Sequence, residues 1–381
     1  MAHTFEFRNT FGSNDTVPKE TAAYDFITVL AVAQKLQVEI LPITWQSTRE
    51  LAGRGKTSEI SQSSINLQTS LAFKRVAKKD KRYEPEGQIF QSVINEITAL
   101  CHPSIRNHPN IVELQGICWD IPVKEDIDDN EMVERVWPAL VFEKSEFGDL
   151  GHFAIMPICR ELGFKDRLEL CMGIGIAVAD MHCNGIIHGD IKPQNVLVFK
   201  DKTTSTFTAK VIDFGFSTWY THEDHHLRLA RTPPWDAPEH REYTEFKPAQ
   251  ARKTDVFSFG MLCLWMLFER KLSSRDEFWT QEPFQYELGG QLSRLEALKS
   301  ANKLVLLADR LLGEKDDLDK ERREQLKEFF RLSIVNNADL RASDLQHLLT
   351  LLNPDKVQCA LNIEKPVEEI MSPSDCGFKT Q

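Results

Sequence analysis

The segment His188-Gly-Asp-Ile-Lys-Pro-Gln-Asn195 gathers a carboxylate, an ammonium and an amide within one short loop. A hydroxyl is a poor nucleophile, so moving a phosphoryl group onto it needs a carboxylate beside it, a divalent metal over the phosphates and positive charge near the transferring oxygens. Asp190, Asn195 and Lys192 can supply all three. Further along, Val211-Ile-Asp213-Phe214-Gly215 is an apolar run ending in a carboxylate and a glycine. A carboxylate at a strand end can hold Mg²⁺ against phosphates, and the glycine permits a sharp backbone change after it. Either segment alone is weak evidence; in this order and proximity they reinforce one another.

These residues must be positioned by elements that the periodicity predicts. Leu51 to about Val76 reads as strands joined by tight turns, and Phe90 to Leu100 reads as a helix because Phe90, Val93, Ile94, Ile97 and Leu100 recur at helical spacing. Strands are expected at Ile111–Ile117 and Ala139–Phe142. Beyond Gly148 the pattern turns helical: Asp166–Cys183, Asp255–Phe268, Leu292–Lys299, Leu304–Leu312 and Lys320–Leu332, with short strands beside Asn195 and Asp213. Strands first and helices later predict an α+β chain of two unequal lobes with a cleft between them. Ahead of this, residues 1–48 read as a separate N-terminal extension with a helix over Thr21–Val38, and after about Asn353 the tail 354–381 reads as loosely ordered.

The chain of 381 residues carries 46 Lys and Arg against 57 Asp and Glu, a net charge of -11, which argues against a protein whose main work is gripping nucleic acid or an anionic membrane. Its eight cysteines have no paired short spacing and read as reduced thiols. The N-terminus shows no basic region followed by an apolar stretch, and Phe257–Phe268 is too short to cross a bilayer. An intracellular protein, cytoplasmic or nuclear, is the expectation. The acidic stretch 124–134 reads as a solvated loop, and His222, His225 and His226 as solvated rather than metal-binding side chains.

With both segments in view, the chain resembles the eukaryotic protein-kinase family over roughly Leu51 to Leu352. In that family a His-Arg-Asp-x-Lys-x-x-Asn loop supplies the catalytic base and a metal-binding Asn, and Asp-Phe-Gly the main metal carboxylate. The resemblance implies a bilobal protein-kinase-like fold, with a small, mainly β N-lobe (about 49–143) and a larger helical C-lobe (about 148–353). It implies Asp190 as base, Lys192 at the γ-phosphate, and Asn195 and Asp213 as metal ligands. Leu71-Ala72-Phe73-Lys74 resembles the family's Val-Ala-Ile-Lys strand, whose lysine contacts the α and β phosphates, and Glu96 is placed to pair with it. Gly53, Gly55 and Ser58 stand in the glycine-rich turn, with Ser58 replacing the third glycine. Ile60, Ala72 and Leu197 would sandwich the adenine, Phe142 falls at the gatekeeper, Glu143 to Ser145 at the hinge and Asp149 at the ribose. The implied cofactors are ATP and Mg²⁺, or Mn²⁺ in its place; the implied partner is a protein substrate, with a regulatory partner at the N-terminal extension. Lys192 is the form typical of serine/threonine kinases.

Downstream, Thr232 is expected to hydrogen-bond toward Asp190 and Lys192, Glu239 to pair with Arg341, and Asp255 to tie the catalytic loop to a buried helix. Gly189 departs from the pattern: many members carry there an arginine that receives an activation-loop phosphate, so that switch is not expected to be obligatory here. Two other readings stay open. His-Gly-Asp is also similar to small-molecule kinases of the aminoglycoside and choline type, which lack segments like Ala237-Pro-Glu239 and Asp255–Gly260. A pseudokinase acting as a binding scaffold would be favoured if Lys74, Asp190, Asn195 or Asp213 were missing, and none is.

Overall fold

The computed structural model of the protein describes residues 24–45, 51–54, 58–64, 70–76, 86–120, 136–201, 204–220, 222–274, 279 and 290–353. Gly55, the acidic stretch 124–134, and the tail 354–381 with its two cysteines lie outside them.

The first helix, α1 (Phe26–Lys35), is shorter than the apolar pattern suggests, and its own caps explain why. Asp25 accepts from the Thr28 amide at 2.8 Å in a capping box, and Gln37 adopts a left-handed φ of 54°, which a helix cannot continue through. Val29 and Ala33 are fully buried, and the Phe26 ring lies 5.2 Å from that of Trp119. Strand β1 (Ile40–Trp45) follows directly. Next come β2 (Leu51–Arg54), β3 (Ser58–Ser64), β4 (Ser70–Val76), helix α2 (Glu86–Leu100), β5 (Leu114–Asp120) and β6 (Trp137–Glu143).

The six strands form one sheet in the order β1-β5-β6-β4-β3-β2, with β1 parallel to β5 and the other pairs antiparallel. Ile40–Trp45, which the sequence reading assigns to the N-terminal extension, form an edge strand of this sheet. The cause is local: the Ile117 amide donates to the Glu39 carbonyl at 2.8 Å, and Gly116 takes a φ of +155° there. A Cβ at Gly116 would sit 2.6 Å from the Glu39 carbonyl oxygen, so only glycine lets the two backbones meet.

The second lobe contains α3 (Leu150–Ile155), α4 (Pro157–Glu161), α5 (Phe164–Cys183), β7 (Ile186–Ile187), β8 (Val196–Lys200), β9 (Phe207–Val211), β10 (Thr218–Trp219), α6 (Pro248–Ser273), α7 (Gln291–Ser300), α8 (Leu304–Gly313), α9 (Lys320–Ser333) and α10 (Leu345–Leu352). Strands β8 and β9 pair as a hairpin and β7 pairs with β10, so both short sheets flank the His188–Asn195 loop. Helices α5 and α6 are mostly buried. The apolar run Phe257–Phe268 is part of α6, which extends well beyond both its ends; its register breaks at Phe268, where φ is -120°. Buried residues of α2, α5, α6, α9 and α10 share one continuous core with the sheet residues Ile117, Leu140 and Phe142, so the small lobe is packed onto the helical one.

Candidate active site

Lys74 sits on β4, opposite Leu140 of β6 and Ile60 of β3 in the strand register. Its Nζ donates to Glu96 Oε1 and Oε2 at 2.9 and 2.7 Å and to Asp213 Oδ1 at 2.8 Å. Three segments distant in sequence therefore meet at one ammonium. Burial alone would lower the Lys74 pKa, but the Asp213 and Glu96 carboxylates outweigh it and hold the group well above the ordinary lysine value. Burial pushes Glu96 upward against the pull of Lys74. Burial also acts to raise Asp213, yet the attraction and hydrogen bond of Lys74 prevail, and its carboxyl lies below the usual range.

Asp213 reaches this position because its backbone is left-handed, with φ 66° and ψ 74°. Short polar residues tolerate that conformation best among non-glycines, and Asp213 Oδ1 accepts from the Gly215 amide at 3.4 Å. The neighbouring Phe214 is fully buried, its ring 5.5 Å from His188, which anchors the turn from below.

Asp190 belongs to a second cluster. Its Oδ1 accepts from the Thr232 hydroxyl at 2.8 Å, and its Oδ2 accepts from Lys192 Nζ at 2.5 Å and Asn195 Nδ2 at 3.1 Å. The Asn195 amide also donates to the Asp190 carbonyl at 2.8 Å. With its nitrogen committed to these bonds, Asn195 leaves its amide oxygen for a cation. The Ile212 amide donates to the Asn195 carbonyl at 2.9 Å, so the backbones beside Asn195 and Asp213 are joined directly. Oxygen donors from an amide and a carboxylate suit a hard cation such as Mg²⁺. Among the described residues no group of three or more His, Cys, Asp or Glu could hold a metal.

The loop is held from beneath by Asp255 of α6. Its Oδ2 accepts from the His188 amide and its Oδ1 from the Gly189 amide, each at 2.9 Å, and His182 Nε2 lies 2.9 Å from Oδ2. His182 was not singled out in the sequence, because a histidine late in an amphipathic helix carries no local signal of a partner this remote. His188 likewise braces the loop: Nδ1 accepts from the Asp190 amide at 3.2 Å and Nε2 donates to the Ile212 carbonyl at 3.1 Å.

The other residues expected at a nucleotide site are placed as follows. Gly53 pairs with Ile60 across β2 and β3, Ser58 opens β3, and Ala72 lies opposite Phe142 on the neighbouring strand. Glu143 ends β6, and its Oε1 accepts from Lys210 Nζ at 2.5 Å and the Glu113 amide at 3.2 Å. Ser145 is buried, and its hydroxyl donates to the Val198 carbonyl at 2.5 Å. Its side chain thus fastens the connection between the lobes, and only its backbone is left to face a ligand. Asp149 caps α3, with Oδ1 accepting from the His152 amide at 2.9 Å, and bridges by its backbone to Leu197. A ribose hydroxyl at Asp149 would therefore compete with a helix cap.

Glu239 and Arg341 also meet, at 2.7 and 3.1 Å through two guanidinium nitrogens, with the Arg341 side chain fully buried.

A two-lobed chain whose cleft joins an ion-paired lysine to two loop carboxylates defines the class of fold and site. The protein kinase domain model matches residues 46–346, and the chain belongs to that family. Similar chains include a probable serine/threonine-protein kinase, kinY, of Dictyostelium discoideum, 30% identical over 186 residues, covering 47% of this chain and 30% of the relative. Cysteine-rich receptor-like protein kinase 11 of Arabidopsis thaliana is 24% identical over 323 residues, 83% of this chain and 40% of the relative. Mitogen-activated protein kinase kinase kinase 13-A of Xenopus laevis is 28% identical over 179 residues, 47% of this chain and 16% of the relative. The chain thus spans well under half the length of these relatives.

Proposed function

We propose that this chain is an ATP-dependent serine/threonine protein kinase. The observation that carries this reading is the meeting of Lys74 with Glu96 and Asp213, beside a second cluster of Asp190, Lys192, Asn195 and Thr232 that the Ile212–Asn195 backbone bond joins to it. Lys74, fixed by Glu96, steadies the α and β phosphates, since a paired ammonium needs no ordering when the nucleotide arrives. Asn195 and Asp213 hold the divalent ion, which when bound neutralises charge on the phosphates. Asp190 accepts a hydrogen bond from the incoming serine or threonine hydroxyl and aims its oxygen at the γ-phosphorus. Lys192, already against Asp190, stands ready to stabilise the transferring oxygens.

The glycine-rich turn, Ile60, Ala72, Phe142, Glu143, the Ser145 backbone, Asp149 and Leu197 complete the nucleotide pocket in this reading. A protein substrate is favoured over a small molecule because Thr232 and the Ala237–Glu239 segment are built into the site: one bonds Asp190, the other is anchored by Arg341. No helix among the described residues is long and apolar enough to cross a membrane. ATP and Mg²⁺ are supplied inside cells, and we place the protein there. Transfer of labelled phosphate from ATP to a generic protein substrate tests the assignment. Removing divalent ions with EDTA is expected to abolish transfer, and Mg²⁺ to restore it. Metal-independent transfer contradicts the roles given to Asn195 and Asp213.

The activation segment bears on regulation. Gly189 has a φ of +76°, and a Cβ there would lie 3.2 Å from Leu229 Cδ2, so the loop rests against the backbone where many members carry arginine. The segment is tied down without phosphate: Leu227 and Phe246 exchange backbone hydrogen bonds at 2.8 and 2.9 Å, Arg228 pairs with Glu245 at 2.9 Å, and Arg252 with Glu223 at 3.0 Å. Phosphatase treatment is therefore expected to leave activity within about twofold, because these contacts among the described residues already hold the segment in place. Complete loss after dephosphorylation, measured by the same transfer assay, contradicts this.

A further inference from the structure

Beside the acceptor side of the cleft runs a chain of alternating charge. Arg231 Nε lies 3.4 Å from Asp236 Oδ2, and Asp236 Oδ1 accepts from Lys299 Nζ at 2.8 Å. Lys299 Nζ is 2.7 Å from Glu296 Oε2, and Glu296 Oε1 accepts from Arg241 at 2.6 Å. Three cations share two carboxylates, so the group carries one positive charge more than its anions balance.

Burial and geometry decide where that charge is expressed. Lys299 is almost wholly enclosed and also donates to the Pro234 and Asp236 carbonyls at 3.0 and 2.9 Å. Arg241 adds a bond to Ser300 at 2.7 Å. Arg231 makes the longest of the four ion-pair contacts, to a carboxylate already neutralised from the interior, and its side chain is 56% exposed. It is thus the more exposed of the two arginines and keeps hydrogen-bonding capacity toward solvent.

Its place in the chain gives that capacity a use. The next residue, Thr232, donates its hydroxyl to Asp190 Oδ1 at 2.8 Å. Arg231 is therefore the chain neighbour of the residue that bonds Asp190. The nearby exposed Arg228 is spent differently, with Nε and one terminal nitrogen both on Glu245 Oε1 at 3.0 and 2.9 Å. A local positive excess is also no background property of a chain whose net charge is -11.

We propose that Arg231, propped by Asp236 and Lys299, selects protein substrates with a carboxylate side chain next to the acceptor serine or threonine. The inference rests on the reading that Asp190 receives the acceptor hydroxyl. The guanidinium fork matches a carboxylate in two parallel hydrogen bonds, and Asp236 with Lys299 fixes its direction. Because the contact forms when substrate binds and the site is half open, it acts on KM more than on kcat and weakens with salt.

The test uses the full chain, Mg²⁺-ATP and serine peptides that differ only at the residue following the acceptor, which is Glu, Gln, Ala or Lys. Wild type is expected to show kcat/KM for Glu about three- to tenfold above Gln, mostly through KM, with the gap closing as salt is raised. Arg231→Glu is expected to invert the order in favour of Lys, and Arg231→Lys to keep a reduced preference for Glu, since charge survives and the fork does not. The wild-type series stands whether or not a variant folds. Equal transfer to all four peptides overturns the selection while leaving phosphotransfer intact. A wild-type preference for Lys overturns it too. Failure to phosphorylate any peptide or any generic protein counts against both the selection and the reading beneath it.

Discussion

Asp190→Asn is expected to lower kcat for phosphate transfer by about 10²–10⁴-fold, the usual contribution of a positioned acid or base, while ATP binding persists. The substitution preserves shape but exchanges an acceptor-only group for one that also donates. In the wild type both Asp190 oxygens act as acceptors, from Thr232 on one side and from Lys192 and Asn195 on the other. An asparagine must turn its NH₂ toward Lys192 and Asn195 or toward Thr232, and an incoming hydroxyl loses the charge that draws its proton. Lys74, Glu96 and Asp213 pair independently of this cluster, so nucleotide affinity is expected to change little. Single-turnover transfer alongside equilibrium ATP binding separates the two effects. A kcat within tenfold of wild type would remove Asp190 from the role assigned to it.

The second large effect concerns stability. Glu239→Ala is expected to cost about 3–5 kcal/mol, since it leaves the Arg341 guanidinium enclosed without its counter-charge. Arg341 also donates to the Lys253 carbonyl at 2.8 Å and to the Val335 carbonyl at 3.1 Å, and lies over the Phe257 ring at 4.9 Å. Those partners hold the cation in place after the carboxylate is gone, so it cannot swing out to water cheaply. Arg341→Ala removes the packing and orphans Glu239 as well, and is expected to be at least as damaging. A double change, Glu239→Ala with Arg341→Met, is expected to recover part of the loss, because a neutral side chain of similar length needs no partner. Chemical denaturation with the linear extrapolation reads all three. A Glu239→Ala protein within about 1 kcal/mol of wild type would mark the pair as equivalent to a surface bridge.

Much of the architecture was readable from pattern. The helices now defined as Gln291–Ser300, Leu304–Gly313 and Lys320–Ser333 match the expected segments to within a residue or two, because an amphipathic face repeats at the period of the helix. Boundaries set by single residues were less legible. Asp25 and Gln37 shorten α1 through a cap and a left-handed φ, neither of which alters hydrophobic periodicity. The short helices α3, α4 and α10 were missed because few turns give little period to read. The place of β1 beside β5 was invisible as well, since strand pairing leaves no mark on either strand alone.

What the amino-acid order determined by itself is the local chemistry: Asp190, Lys192 and Asn195 share one loop, so a few peptide units bring them together whatever the rest of the chain does. Only the tertiary structure decided that Lys74 meets both Glu96 and Asp213, that Asp255 grips the loop from a helix, and that Asp236 is neutralised by Lys299 so that Arg231 faces outward. Contacts between distant segments depend on how the lobes pack, and packing is a property of the whole buried core, which no stretch of sequence expresses alone.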